Sequence, residues 1–151
     1  MAEFVTTAGS QLVDVGQNVL LIDSFPCPRG WVLHRNGSGI ITLRGTTCGC
    51  ARYAVYQLTF SGNIAIPTGG TVDPIAIALA IDGEALQSSR AVVTPAAVGD
   101  YQNATATASI AVPRGCCYTV SVKNAAAGVD AAVAQQAISV ADGNLDVKRT
   151  A

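Results

Sequence analysis

The sequence predicts an all-β fold, either a sandwich or a closed barrel. About eight to ten short runs alternate their residues with period two. Turn signals separate them at regular spacing: Asn36-Gly37, Asp82-Gly83, Pro113-Arg114-Gly115 and Asp142-Gly143. Heptads, collagen-like triplets and internal repeats are all missing from the chain.

Residues 18–25, "NVLLIDSF", open the ordered part as a strand. Residues 30–35 lead into Asn36-Gly37, a type I′ turn signal, and residues 39–45 return. Residues 51–66 form a long alternating strand with Ala54, Tyr56, Leu58 and Phe60 on one face. Ile75, Ile77, Leu79 and Ile81 alternate with Ala76, Ala78 and Ala80 up to Asp82-Gly83, so a hairpin is expected there. Residues 91–101 have a helix-like composition, but Pro95 interrupts them, so strand then loop is expected. Residues 101–112 set Thr105, Thr107 and Ser109 against Ala104, Ala106 and Ala108. Residues 116–124 turn Val120 and Val122 inward. Residues 131–141 suit either a helix or a strand; the Asp142-Gly143 signal decides for strands on both of its sides. One domain over residues 18–151 is expected, preceded by a polar arm, residues 1–17, that docks on a partner.

Neither face of the 75–81 run carries a charge or hydroxyl, unlike an ordinary solvent-facing strand. Charged residues are 13% of the chain and mean hydropathy is +0.38, so too few charges exist to coat a monomer in the usual way. No stretch approaches the roughly 18 apolar residues of a spanning helix, so membrane partners are not expected. Burial against further copies or a partner remains. Residues 1–12 lack a secretory pattern, and synthesis in the cytoplasm is expected. Net charge is −1 without a basic run, which argues against nucleic acid.

Reactive chemistry is sparse, and no enzyme activity, cofactor or metal is expected. His34 is the single histidine; Ser38 and Asp23 are its conceivable partners, but no recognisable oxyanion hole accompanies them. Cys27, Cys48, Cys50, Cys116 and Cys117 lack zinc-motif spacing. Cys48, Cys50, Cys116 and Cys117 could gather on one metal; small core residues or a redox-dependent staple are the alternatives. The sequons at Asn36 and Asn103 are read as chance.

The order of "RYAVYQLTF", "IALAIDGE", "NATATASIAV", "VPRGCCYTVSVKN" and "LDVKR" resembles the jelly-roll head shared by C1q and TNF-like proteins. "GQNVLLID", "HRNGSGIITLRG", "IAIPTGGTVDPIAIALAIDGE" and "VPRGCCYTVSVKN" are similar to small proteins of gut Firmicutes and their tailed phages, encoded among virion structural genes. Where eukaryotic members carry Gly-Asp, this chain has Gly115-Cys116, so their calcium and receptor chemistry is not carried over. The resemblance implies a jelly-roll β-sandwich assembled as a homotrimer, with the rows Ala76-Ala78-Ala80 and Ala104-Ala106-Ala108 against neighbouring copies. The alternative for those rows is plain exposure to water. The resemblance further implies a phage capsid-decoration or head-fibre protein on the virion surface, clamping the major capsid protein lattice. The alternative function is an adhesin head binding a receptor or glycan through the loops "TPAAVGDYQ" and "KNAAAGVD".

Overall fold

The computed structural model describes residues 2–6, 9–25, 30–47, 49–125 and 136–150. Their strands are β1 (Ala2–Val5), β2 (Gln11–Val13), β3 (Asp23–Phe25), β4 (Val32–His34), β5 (Ile41–Arg44), β6 (Tyr53–Ala65), β7 (Ile75–Ile81), β8 (Glu84–Ala85), β9 (Ala91–Val93), β10 (Gln102–Pro113), β11 (Cys117–Asn124) and β12 (Ile138–Arg149). One 3₁₀ turn, Gln87–Ser89, lies between β8 and β9. Two antiparallel sheets result. The long sheet is ordered β10-β6-β12-β1-β3, with β2 also on β12. The short sheet is ordered β4-β5-β11-β7-β8, with β9 also on β7.

Period-two alternation builds the core. Ala54, Tyr56, Leu58 and Phe60 of β6 meet Ile75, Ile77 and Leu79 of β7, all wholly buried in one cluster. Each such large side chain contributes roughly 1.5–3 kcal/mol. The Asp82-Gly83 hairpin forms as expected: both residues have positive φ, +50° and +88°, and Ile81 pairs with Glu84.

Both alanine rows correct the expected interface. Ala104 and Ala106 face the core, and Ala108 packs against it. Ala76, Ala78 and Ala80 are already buried within one chain, where Ala76 and Ala78 pack with Ala125 and Ala85. The Ala125 amide donates to the Ala76 carbonyl at 3.1 Å, a close approach that larger side chains would obstruct. Neither row is available to a neighbour.

The polar arm expected over residues 1–17 contributes two strands to the long sheet. Phe4 is fully buried in the core, and β1 pairs with both β12 and β3. Its burial was hidden because a single buried aromatic in a short strand leaves little period to read.

The strand expected over residues 18–25 is paired as β3 only at its end. Residues 18–22 still alternate, with Val19 and Leu21 buried and Leu20 and Ile22 exposed. They run beside the β4–β5 connection: the Gly37 amide donates to the Leu21 carbonyl and the Leu21 amide to that of Ser38. A Cβ on Gly39 would come 2.7 Å from the Asn18 Cβ. That connection therefore spans residues 35–40, and of its Asn-Gly pair only Gly37 has positive φ, so it is not a type I′ turn.

Asp142-Gly143 is a bulge, not a reversal. Between Ala141 and Asn144, β12 advances three residues while β6 advances two, from Asn63 to Ser61. Asp142 takes φ +53°. Thr6 holds the bulge from both sides: its amide donates to the Gly143 carbonyl, and the Gly143 amide donates to its Oγ1, each at 2.9 Å. A Cβ on Gly143 would lie 3.0 Å from Phe60 Cζ. The glycine admits a ring; it does not turn the chain.

Candidate interaction surfaces

The outward face of the long sheet is polar along β6 and β10. On β6 it carries Tyr53, Val55, Gln57, Thr59, Ser61 and Asn63; on β10, Asn103, Thr105, Thr107, Ser109 and Ala111. None of these is charged. Register aligns Thr107 with Thr59 and Asp146, and Thr105 with Ser61 and Asn144. Thr59 and Thr107 hydroxyls lie 3.5 Å apart, and Thr107 Oγ1 donates to the Leu58 carbonyl. A solvated sheet face ordinarily carries charges that discourage pairing; on these two strands it carries none.

The sandwich is also polarised end to end. At one end β5 and β12 finish, β6 and β11 begin, and β10 turns. Arg44, Arg52, Arg114 and Arg149 gather there. The Arg114 amide donates to the Arg52 carbonyl at 2.8 Å, and its Nη1 donates to the Gly49 carbonyl at 3.0 Å. The Arg149 guanidinium lies 3.8 Å above the Trp31 ring. The side chains of Arg44, Arg52 and Arg114 pair with no carboxylate among the described residues. Trp31 and Tyr53 are exposed beside them. Under this surface the Tyr56 hydroxyl donates to the Arg44 and Trp31 carbonyls. Burial pushes the Tyr56 phenol above its ordinary value, with Arg149 pulling the other way.

The opposite end holds a shallow cleft of about 630 Å³, lined by Leu12, residues 67–71, Gln136, Ala137 and Ser139. The Gln136 amide closes one wall like a short strand: Nε2 donates to the Thr71 carbonyl and Oε1 accepts from its amide. Asp14 and Asp73 lie two residues from the lining positions Leu12 and Thr71. Asp100 adjoins Gly99, whose amide donates to the Ile66 carbonyl beside Pro67. Exposed Val72, Val98 and Tyr101 accompany them.

The sequence candidates are placed as follows. His34 Nε2 is 2.9 Å from the Ser38 carbonyl oxygen, not its hydroxyl, and the ring packs edge-on against Phe4 at 4.9 Å. Ser38 Oγ accepts from the Ile40 amide, and Asp23 is exposed on β3. The three do not align as a nucleophile, base and orienting acid. Cys50, Cys116 and Cys117 are free and exposed; Cys27 and Cys48 lie outside the described residues. Among the described residues no three His, Cys, Asp or Glu side chains converge where a metal could sit, and no helix is long and apolar enough to cross a membrane. Of the two loops read for an adhesin, residues 94–102 expose Val98 and Tyr101, while most of "KNAAAGVD" lies outside the described residues.

Sequence reading missed both polarised ends. The available signal was that Arg44, Arg114 and Arg149 each close or follow a strand, and Arg52 precedes one; antiparallel pairing brings such ends together.

No family model and no curated protein matches the chain. Solved structures do. Eiger TNF from S. frugiperda is similar over 100% of this chain and 92% of its own, with TM-score 0.64 and 12% identity. The globular domain of zebrafish complement 1qA is similar over 95% and 92%, with TM-score 0.55 and 11% identity. Murine APRIL is similar over 95% and 96%, with TM-score 0.51 and 11% identity. The chain has the C1q/TNF-like jelly-roll fold, as the order of its strands implied.

Proposed function

We propose that this chain is a structural protein of a tailed-phage virion: a homotrimeric C1q/TNF-like head that decorates the capsid and stabilises the major capsid protein lattice. The phage assignment rests on the resemblance of "GQNVLLID", "HRNGSGIITLRG", "IAIPTGGTVDPIAIALAIDGE" and "VPRGCCYTVSVKN" to small proteins of gut Firmicutes and their tailed phages, encoded among virion structural genes. The observation that carries self-association is the uncharged outward face of β6 and β10, which takes the place of the alanine rows as the trimer contact. A chain with 13% charged residues gains by burying such a face. Since β1 and β2 belong to the sheet, docking falls to a preformed surface and not to a free arm. The function is mechanical, without catalysis; three linked contacts convert a weak single contact into firm attachment.

The second reading is an adhesin head, favoured by the exposed Val98 and Tyr101 on one loop. Two measurements separate these readings. Light scattering of the purified chain is expected to give three times 15.3 kDa, with and without reductant. Co-sedimentation with capsids lacking the protein is expected to recover it in the pellet. A monomer overturns the trimer; a trimer that ignores capsids but binds immobilised glycans moves the reading to adhesion.

A further inference from the structure

The two ends of the sandwich are complementary to each other, and they lie too far apart to meet within one chain. β6 runs thirteen residues from one end to the other, about 40 Å at the usual rise. At its start stand Arg44, Arg52, Arg114 and Arg149, four of the nine Lys and Arg. Past its far end stand Asp14, Asp73 and Asp100. Asp82 and Glu84 share the arginine end but lie across the short sheet, where Asp82 is occupied by the Thr119 amide and hydroxyl. Lys123, next to the last residue of β11, is a cation at the aspartate end. The exposed aromatics follow the same division: Trp31 and Tyr53 with the arginines, Tyr101 with the aspartates. Trp, Tyr and Arg are the residue types that dominate interface energetics.

One end projects and the other is recessed. Pro113, Arg114, Gly115 and Cys116 form a tight turn, with the Cys116 amide donating to the Pro113 carbonyl and Gly115 at φ +76°, so Arg114 stands exposed at its tip. The far end presents an open cleft with an uncharged lining, and Asp14 and Asp73 follow its lining residues Leu12 and Thr71 by two positions in the chain.

We propose that copies of this chain associate end to end, the arginine–aromatic end of one seating on the cleft end of the next. The two surfaces differ, so the contact is heterologous, and because they lie at opposite ends of the sandwich it extends into rods and not into a closed ring. Exposed charges of this kind steer association and make it salt-dependent. This goes beyond the trimer, which uses the sheet face, and leaves that face free.

The test is sedimentation velocity on the full chain against concentration, at about 0.02 M and about 0.5 M salt. High salt reports the base unit, whether monomer or trimer, so failure of the trimer reading is seen separately. At low salt the weight-average mass is expected to reach at least about twice the high-salt value, as rim charges allow. Arg52→Glu with Arg114→Glu cancels the positive charge of the four-arginine end; Asp14→Arg with Asp73→Arg makes the aspartate end basic like the other. Each pair alone is expected to stay at the base unit, and mixing the two to restore growth. Growth of either pair alone, no recovery on mixing, or no growth of the native chain overturns the proposal. All four side chains are exposed or half-exposed, and a thermal melt checks folding. If a reversed pair unfolds, Arg52→Gln with Arg114→Gln replaces it, and unchanged growth in that variant overturns the proposal equally.

Discussion

The two sheets solve the same problem differently. In the long sheet β6, β10 and β12 are twelve or thirteen residues long, one face buried and the other open. In the short sheet no strand exceeds eight residues, yet the outward side of β7 is closed, with Ala76, Ala78 and Ala80 all buried. Alternation alone does not distinguish these cases. It shows which residues share a face; what covers the face depends on segments distant in sequence, here Ala85 and Ala125. The uncharged alanine face proved internal, and the hydroxyl face proved external.

The largest expected effect tests the seam between the sheets. A Cβ on Gly45 would lie 2.0 Å from the Pro113 carbonyl oxygen, a backbone atom, while the Gly45 amide donates to the Cys116 carbonyl. Neither strand end has room to yield. Gly45→Ala is expected to cost more than about 4 kcal/mol or to prevent folding, as read by urea denaturation. A loss under about 1 kcal/mol would show that the two sheets are not locked together at this point.

Next comes the closed face itself. Ala78 is buried between sheet and covering segment, so Ala78→Leu overpacks a layer built for methyl groups and is expected to cost about 1–3 kcal/mol. A stable, unperturbed variant would mean the cover is loose, and would reopen this face to a neighbouring copy. Ser89 stitches the cover to β7: its Oγ accepts from the Leu79 amide at 3.0 Å and reaches the Leu79 and Leu86 carbonyls. Ser89→Ala strands that buried amide, at a cost of about 1–3 kcal/mol by the same denaturation measurement.

Legibility followed the same division. The long strands β6, β10 and β11, the Asp82-Gly83 hairpin and the Pro113 turn could be read because each carries its full pattern locally. Phe4 could not, since β1 shows four residues and its burial is decided by β12 and β3 at the opposite end of the chain. Asp142-Gly143 misled because the same dipeptide suits a turn and a bulge; Thr6 and Phe60 select between them, and neither is near in sequence. The arginine end was illegible for a related reason. Its members lie as far apart as Arg44 and Arg149, and only the registers bring them together.

A smaller effect separates the arginine end from the core below it. Burial holds the Tyr56 phenol above its ordinary value near 10. An acid whose folded pKa is raised stays protonated in the folded state while the unfolded chain ionises. The associated stability is therefore complete below about pH 10 and is lost as pH rises through the folded value. Native protein is expected to weaken on that alkaline climb, and Tyr56→Phe, less stable at neutral pH for want of its hydrogen bonds, to show a flatter profile. Parallel profiles for the two proteins would place the alkaline sensitivity elsewhere.

The smallest expected effect on folding is the most informative for assembly. Thr105 is exposed on the open face, and its hydroxyl donates only to Asn103 Oδ1, at 3.2 Å. Thr105→Lys should change folding stability by no more than about 0.5 kcal/mol, because it touches nothing buried. In a trimer joined through β6 and β10, three lysines would enter the uncharged part of the contact, and each would have to shed water. Light scattering is then expected to fall to 15.3 kDa while the denaturation midpoint of the isolated chain stays put. If the variant kept the native mass, the open face would be solvent surface, and the contrast between the sheets would reduce to how much of each strand is covered from within.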